Sequence, residues 1–139
     1  MNNYIVYTDG AYSSVRNQMG VGIVFLLNNN LILEFSKMYP EGTNNKAELG
    51  AVIISLRLIK QPIDSLTIIT DSMYVIGCAI KGWKRKKNVR LWEEFDKQYA
   101  RVKELCPNIE FVHTRGHSGD KWNEYCDKLA VSASKQIGQ

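Results

Sequence analysis

The chain alternates between short apolar runs and longer stretches in which apolar residues recur every three or four positions. The short runs are rich in β-branched and aromatic residues, which is typical of buried strands. They predict five strands, at residues 4–10, 20–27, 31–39, 66–70 and 109–114. The second and third strands flank Asn28-Asn29-Asn30 and therefore predict a hairpin. The polar residues 11–19 predict a loop after the first strand.

The stretches with helical spacing predict four helices, at residues 44–60, 72–81, 89–106 and about 120–135. Pro62 and Pro107 follow the first and third helices, and the residue before a proline disfavours helix. This order of elements predicts a mixed sheet of the α/β (α+β) class. In it, an antiparallel hairpin unit joins parallel strands that are covered by helices.

The length of 139 residues suits one domain. The apolar runs are too short to cross a bilayer, and the start of the chain lacks a basic region followed by an apolar segment. We therefore expect neither a secretory signal nor a membrane partner. The three cysteines are odd in number and lack metal-ligand spacing, which is typical of reduced thiols. We expect a cytoplasmic monomer.

The formal net charge is +4, and much of the positive charge lies between residues 81 and 90. Six basic residues fall in this basic segment: Lys81, Lys84, Arg85, Lys86, Lys87 and Arg90. A solvated loop is the ordinary explanation of such a run. The alternative is an anionic partner, because Trp83 adds an aromatic surface of the kind that binds the sugars or bases of nucleic acid.

Four carboxylates are the candidate chemistry, and each also has an ordinary explanation. Asp9 precedes Gly10, as in a turn. Glu48 lies three residues after Asn45 at a helix start, which resembles a capping box. Asp71 follows a strand and precedes a helix, where it can cap, and Asp127 can be a solvated helix position.

The four carboxylates together favour a different interpretation. The topology places the strands ending in Asp9 and Asp71 side by side, and the helices of Glu48 and Asp127 pack on the same sheet. Carboxylates this close repel each other unless cations neutralise them. Hard oxygen ligands suit Mg²⁺ or Mn²⁺, and such a cluster can hold two ions roughly 4 Å apart for phosphodiester hydrolysis.

Four motifs give the chain a resemblance to type 1 ribonuclease H over nearly its whole length. They are Tyr-Thr-Asp-Gly-Ala at 7–11, Gly-Thr-Asn-Asn-Lys-Ala-Glu-Leu at 42–49, Thr-Asp-Ser-Met-Tyr-Val at 70–75, and Arg-Gly-His-Ser-Gly at 115–119 with Asn-Glu-Tyr-Cys-Asp-Lys-Leu-Ala at 123–130. The resemblance implies a ribonuclease H-like fold with helices on both faces of a five-stranded mixed sheet, in which strands 1–3 are antiparallel. It also implies an endonuclease that cuts the RNA strand of RNA–DNA hybrids and leaves 5′-phosphate and 3′-hydroxyl ends.

The resemblance also assigns roles at the catalytic centre. It implies that Asp9, Glu48, Asp71 and Asp127 hold two Mg²⁺ ions, which Mn²⁺ can replace, with Asp9 bridging them. His117 is implied in proton transfer or product departure, for which a pKa near 6.5 is suitable.

For the hybrid, the resemblance assigns binding residues around this centre. It implies that Asn44 and Asn45 read the minor groove and the 2′-hydroxyls, which distinguish RNA from DNA. Ser72 and the main chain near Gly10 are implied to contact ribose. Thr43 is implied to contact a phosphate of the DNA strand, and Trp83 to contact that strand. The implied phosphate contacts of the basic segment are Lys84, Arg85, Lys86 and Lys87.

Two departures from the family distinguish this chain. The basic segment runs almost directly into the next helix and is therefore shortened, and residues 11–19 lack the Asn-Pro-Gly run common in the family. We expect no separate hybrid-binding domain. Two alternatives stay open: a non-catalytic module that binds hybrid or double-stranded RNA, and a DNA-directed nuclease with the same fold.

Overall fold

The computed structural model describes residues 2–115 and 120–137. In this part of the chain, five strands form one sheet in the order β3-β2-β1-β4-β5. The strands are β1 (Asn3–Ser13), β2 (Gln18–Leu27), β3 (Asn30–Pro40), β4 (Ser65–Thr70) and β5 (Asn108–His113). The helices are α1 (Asn44–Arg57), α2 (Met73–Ile80), α3 (Val89–Leu105) and α4 (Lys121–Ser134).

The sheet is mixed, as the order of elements predicts. β1 pairs antiparallel with β2, and β2 pairs antiparallel with β3. β1 also pairs in parallel with β4, and β4 pairs in parallel with β5. The central strand β1, which carries Asp9, therefore lies between β2 and β4, and it is next to the strand that leads to Asp71, as predicted.

Helices cover both faces of the sheet. Successive residues of β1 point to opposite faces, so neighbouring residues belong to different cores. Val6 joins the larger core with residues of α1, α2 and α3, whereas Tyr7 joins a smaller core with Cys126 of α4. The close approach of α4 requires Gly22, where a Cβ would lie 2.4 Å from the carbonyl oxygen of Cys126. Both predicted faces are thus confirmed. Among the described residues, every helix is too short or too polar to span a membrane.

The predicted loop at residues 11–19 is wrong over much of its length. β1 continues to Ser13 and β2 begins at Gln18, so only residues 14–17 form a turn. The polar residues at the end of β1 are only half-buried, and their backbones still pair with β2 from Ala11 to Ser13. Polar composition at the rim of a sheet is therefore compatible with a strand, because the ladder is formed by the backbone.

Candidate active site

Asp9 lies within β1, just past the last residue of β1 that pairs with β4. It is 4% exposed, and the strand continues beyond it, so the turn interpretation is wrong. The amide of Gly10 donates to Asp9 Oδ1 at 2.9 Å and to Glu48 Oε1 at 2.7 Å. One backbone N–H therefore holds two carboxylates together.

Gly10 permits this arrangement because α1 begins directly against the strand. A Cβ at residue 10 would lie 2.3 Å from both the carbonyl carbon of Ala47 and the amide nitrogen of Glu48. The resemblance implies that a ribose contacts the main chain near Gly10. On the side where a Cβ would stand, the backbone of α1 lies against Gly10 and brings Glu48 to Asp9.

Neither Glu48 nor Asp71 caps a helix. The Thr43 hydroxyl caps α1 by accepting from the amide of Lys46 at 3.1 Å, and the Ser72 hydroxyl caps α2 by accepting from the amide of Val75 at 3.1 Å. The capping interpretations of the two acids are wrong, because neighbouring hydroxyls already satisfy the exposed amides. Both carboxylates are therefore free for another use.

Asp71 completes a cluster of three acids. One oxygen from each of Asp9, Glu48 and Asp71 lies within 4.8 Å of the other two. Within residues 2–115 and 120–137, Asp71 Oδ1 is buried without a hydrogen-bond partner. A buried carboxylate oxygen without a partner is unfavourable unless a cation neutralises it. The donor set, made only of carboxylate oxygens, fits a hard divalent cation.

Asp127 approaches this cluster from the other face of the sheet. It is partly buried on α4 and lies close enough to Asp9 to raise the pKa of the Asp9 carboxyl. The preceding residue, Cys126, anchors the helix by donating from Sγ to the carbonyl oxygens of Tyr7 at 3.4 Å and Gly22 at 3.0 Å. The four predicted acids thus meet around Asp9, three of them tightly and Asp127 at its side.

Burial and mutual repulsion change the protonation of the cluster. Burial, then the charge of Asp71 and the contact with Asp127, raises the pKa of Asp9 to about 8, against an opposing hydrogen bond from Glu48. Burial, then the charges of Asp9 and Asp71, raises the pKa of Glu48 to about 11. Burial, followed by the same acids, also raises the pKa of the Cys126 thiol well above its ordinary value. Without cations, the cluster therefore holds protons at neutral pH.

A groove of about 760 Å³ runs between the first turn of α1 and the basic segment. Its lining is polar and basic, and consists of Thr43, Asn44, Asn45, Lys46, Tyr74, Lys84, Lys86, Lys87 and Asn88. Asn45 is three residues from Glu48, and Tyr74 is three residues from Asp71. The groove therefore starts from the same two helix ends that supply acids to the cluster.

Arg85 is not brought into this groove. Its guanidinium lies 4.5 Å from the ring centroid of Trp92, and it donates to the carbonyl oxygen of Cys78 at 3.1 Å. It also donates to both carboxylate oxygens of Asp96, at 2.9 and 2.7 Å. Arg85 therefore attaches the basic segment to α3, while the neighbouring lysines face outward.

Trp83 remains at the surface, 48% exposed. Its ring rests on α2 at Gly77, where a Cβ would lie 2.0 Å from the ring, and its amide donates to the Gly77 carbonyl oxygen at 3.1 Å. Trp92, by contrast, is 2% exposed and belongs to the core. Of these two tryptophans, Trp83 is therefore the one that offers an aromatic surface beside the basic segment.

Four residues near the site are absent from the sequence-based predictions: Lys46, which lines the groove, and Tyr74, Asn88 and His113. Tyr74 and Asn88 line the groove, and the Tyr74 hydroxyl accepts from the side chains of Asn88 and Trp92 at 3.0 and 2.9 Å. His113 Nε2 lies 3.2 Å from the carbonyl oxygen of Asp71. The signals that indicate any of them are the positions of Lys46 within the second motif and of Tyr74 within the third. The predicted His117 lies outside the described residues.

Comparison with known proteins gives consistent matches over most of the chain. A family model described as RNase H matches residues 1–135. The ribonuclease H of Trichodesmium erythraeum is 37% identical over 141 residues, which cover 95% of this chain and 88% of that protein. The ribonuclease H of Rippkaea orientalis is 36% identical over 141 residues, which cover 95% of this chain and 85% of that protein. A crystal structure of LC11-RNase H1 in complex with an RNA/DNA hybrid matches with a TM-score of 0.71 and 28% identity, and covers 94% of this chain and 95% of that one.

Proposed function

The chain belongs to the ribonuclease H family of enzymes, and from this premise we propose that it hydrolyses the RNA strand of RNA–DNA hybrids, leaving 5′-phosphate and 3′-hydroxyl ends. The observation that carries the proposal is the cluster of Asp9, Glu48 and Asp71 beside a basic groove. Binding alone needs no such group of buried acids, because their mutual repulsion disfavours the folded state. The hybrid in the related LC11-RNase H1 crystal supports the substrate class.

Asp9, Glu48, Asp71 and Asp127 would hold two Mg²⁺ ions, and Mn²⁺ would substitute. The chemistry that divalent cations supply at such a carboxylate group is activation of a water and stabilisation of the leaving oxygen. The contribution of the chain is rigidity, because the Gly10 amide fixes the Asp9 and Glu48 carboxylates before substrate arrives. We keep the proposal that His117 assists proton transfer or product departure.

The groove and the residues beside it would hold the hybrid through hydrogen bonds to ribose, contacts with phosphates and aromatic stacking. The exposed amides of Asn44 and Asn45 can donate to and accept from 2′-hydroxyls, which double-stranded DNA lacks. Thr43, Lys84, Lys86 and Lys87 would follow phosphates, and Trp83 would stack on a sugar or base. Ser72 and the main chain near Gly10 are proposed at the ribose beside the acids.

We also propose that the protein works as a monomer in the cytoplasm. The support for the compartment is that Cys78, Cys106 and Cys126 are all free and buried, as reduced thiols are in a reducing environment. A single copy suffices because, within the described residues, one chain supplies both the acids and the groove.

The proposal is tested by incubating labelled RNA–DNA hybrid, RNA duplex, DNA duplex and single-stranded RNA with the protein in Mg²⁺, Mn²⁺ or a chelator. We expect cleavage of the hybrid RNA strand only, and only with a divalent cation. Asp9→Asn should abolish cleavage and largely spare hybrid binding, whereas Glu110→Gln, at an exposed carboxylate of β5, should cleave normally. A bound but uncut hybrid would indicate a binding module, and preferential DNA cleavage would indicate a DNA-directed nuclease.

The role of the groove is tested separately through the salt dependence of hybrid binding. Replacing Lys84, Lys86 and Lys87 by alanine should reduce the slope of log affinity against log salt by roughly one unit for each lost phosphate contact. Arg85→Ala is the matched control, because its guanidinium is already paired with Asp96. Equal slopes for wild type and the triple variant would show that the basic segment is a solvated loop.

A further inference from the structure

Asp127 is the acid whose position depends most on tertiary packing. Glu48 is held by the amide of Gly10, and Asp71 follows a strand that pairs with β1. Asp127 instead lies on α4, which packs on the opposite face of the sheet from α1. Its distance to Asp9 is therefore set by how α4 docks on β1.

One hydrogen bond near the start of α4 joins this helix to β1. The hydroxyl of Tyr7 donates to Asp120 Oδ2 at 2.9 Å. The other oxygen of Asp120, Oδ1, caps α4 by accepting from the amides of Trp122 at 3.0 Å and Asn123 at 3.4 Å. A single carboxylate thus caps the helix and attaches it to β1.

The geometry relates this contact to the catalytic pair. Tyr7 and Asp9 are two residues apart on β1, so their side chains point to the same face. Asp120 and Asp127 are seven residues apart, which is close to two helical turns, so they share one side of α4. The Tyr7–Asp120 hydrogen bond therefore joins the strand that carries Asp9 to the helix that carries Asp127, on the side where the two acids approach each other.

We propose that Tyr7 and Asp120 are positioning residues that hold α4 in the orientation in which Asp127 meets Asp9. This inference rests on the proposed hydrolysis of hybrid RNA and adds to it two residues that touch neither substrate nor cation. Tyr7 is buried, so a phenylalanine ring would keep its packing and remove only the hydrogen bond. Without that bond, the start of α4 is free to shift, and a shift of Asp127 alters the catalytic geometry.

The first test compares Tyr7→Phe with Tyr125→Phe. The Tyr125 hydroxyl also bonds α4 to the sheet, through Glu34 of β3, but at an exposed position away from the acids. We expect Tyr7→Phe to lower kcat for hybrid cleavage about tenfold, with KM within about twofold of wild type, because the groove is untouched. Tyr125→Phe should keep the wild-type kcat.

The second test separates positioning from capping. Asp120→Ser keeps a good capping residue and removes the acceptor of Tyr7. We expect Asp120→Ser to lower kcat about as much as Tyr7→Phe does. The kcat of the double variant should be no lower than that of either single variant, since both substitutions remove the same hydrogen bond. A wild-type kcat in Tyr7→Phe, an equal loss in Tyr125→Phe, or additive losses in the double variant would overturn the inference.

A third measurement needs no catalysis. Calorimetric titration of the substrate-free proteins with Mg²⁺ should show an affinity weaker by about threefold or more in Tyr7→Phe and no change in Tyr125→Phe. Equal Mg²⁺ affinities of Tyr7→Phe and wild type would contradict the positioning role. If wild type binds Mg²⁺ but leaves the hybrid uncut, the proposed function fails, and this titration still decides whether Tyr7 positions Asp127.

Discussion

The buried acids predict that the cation-free protein loses stability as pH rises. Glu48 has an ordinary pKa of 4.5, raised in the folded state to about 11 by burial and by Asp9 and Asp71. Between these values the folded chain holds a proton that the unfolded chain has released. The stabilisation by this proton is complete below the unfolded pKa and decreases as pH rises towards the folded one.

The size of the effect follows from the linkage between proton binding and folding. One extra proton in the folded state lowers the free energy of unfolding by about 1.4 kcal/mol for each unit of pH. From pH 4.5 to pH 7, Glu48 alone would therefore account for about 3 kcal/mol. Asp9, whose pKa is raised to about 8, acts in the same direction, but the two acids are so close that we count one proton for the pair.

Glu48→Gln is the variant that isolates this effect. Glutamine has nearly the same shape, and its oxygen can still accept from the Gly10 amide, but it carries no charge. The free energy of unfolding is measured from pH 5 to pH 8 by urea denaturation in a chelator, with far-ultraviolet circular dichroism as the signal. It should decline with rising pH for wild type and decline less for Glu48→Gln. At pH 7 the variant should be more stable by up to about 3 kcal/mol, and inactive.

Two results would refute this reasoning. The first is a wild-type stability that does not change with pH in the chelator, and the second is an equal decline in Glu48→Gln. Addition of Mg²⁺ provides an internal check, because a cation that binds only the folded state stabilises it by about 2.7 kcal/mol at one hundred times its dissociation constant. We expect this gain to be larger in wild type than in Glu48→Gln.

Three other substitutions test the packing described above. Gly10→Ala should reduce the free energy of unfolding by about 3 kcal/mol and abolish cleavage, because the new Cβ would overlap the backbone of Ala47. Normal activity of this variant would contradict that packing. Gly50→Ala should raise stability by about 0.5–1 kcal/mol, since the new Cβ meets nothing within 4 Å and alanine favours helix; a loss would show a hidden contact. Arg85→Ala should lower stability by about 1 kcal/mol through its exposed pair with Asp96 and its stacking on the core, and a variant as stable as wild type would exclude that role.

The elements of the fold are largely readable from local patterns. All five strands and all four helices are present where periodicity predicts them, and the mixed sheet has the predicted pairing. The clearest error is the loop at residues 11–19, because side-chain polarity does not report that the backbone of Ala11 to Ser13 pairs with β2. The end of α1 is also three residues earlier than predicted, at Arg57.

The order and spacing of the four motifs can be read without coordinates, and they predict Asp9, Glu48, Asp71 and Asp127 as the acids of the site. How these acids are arranged depends on tertiary packing. Thr43 and Ser72 cap the helices and leave Glu48 and Asp71 free for the cluster, and Arg85 turns to Asp96 and away from the groove. The Tyr7–Asp120 contact joins residues 113 positions apart. Such choices depend on competition between nearby partners in space, which local periodicity does not encode.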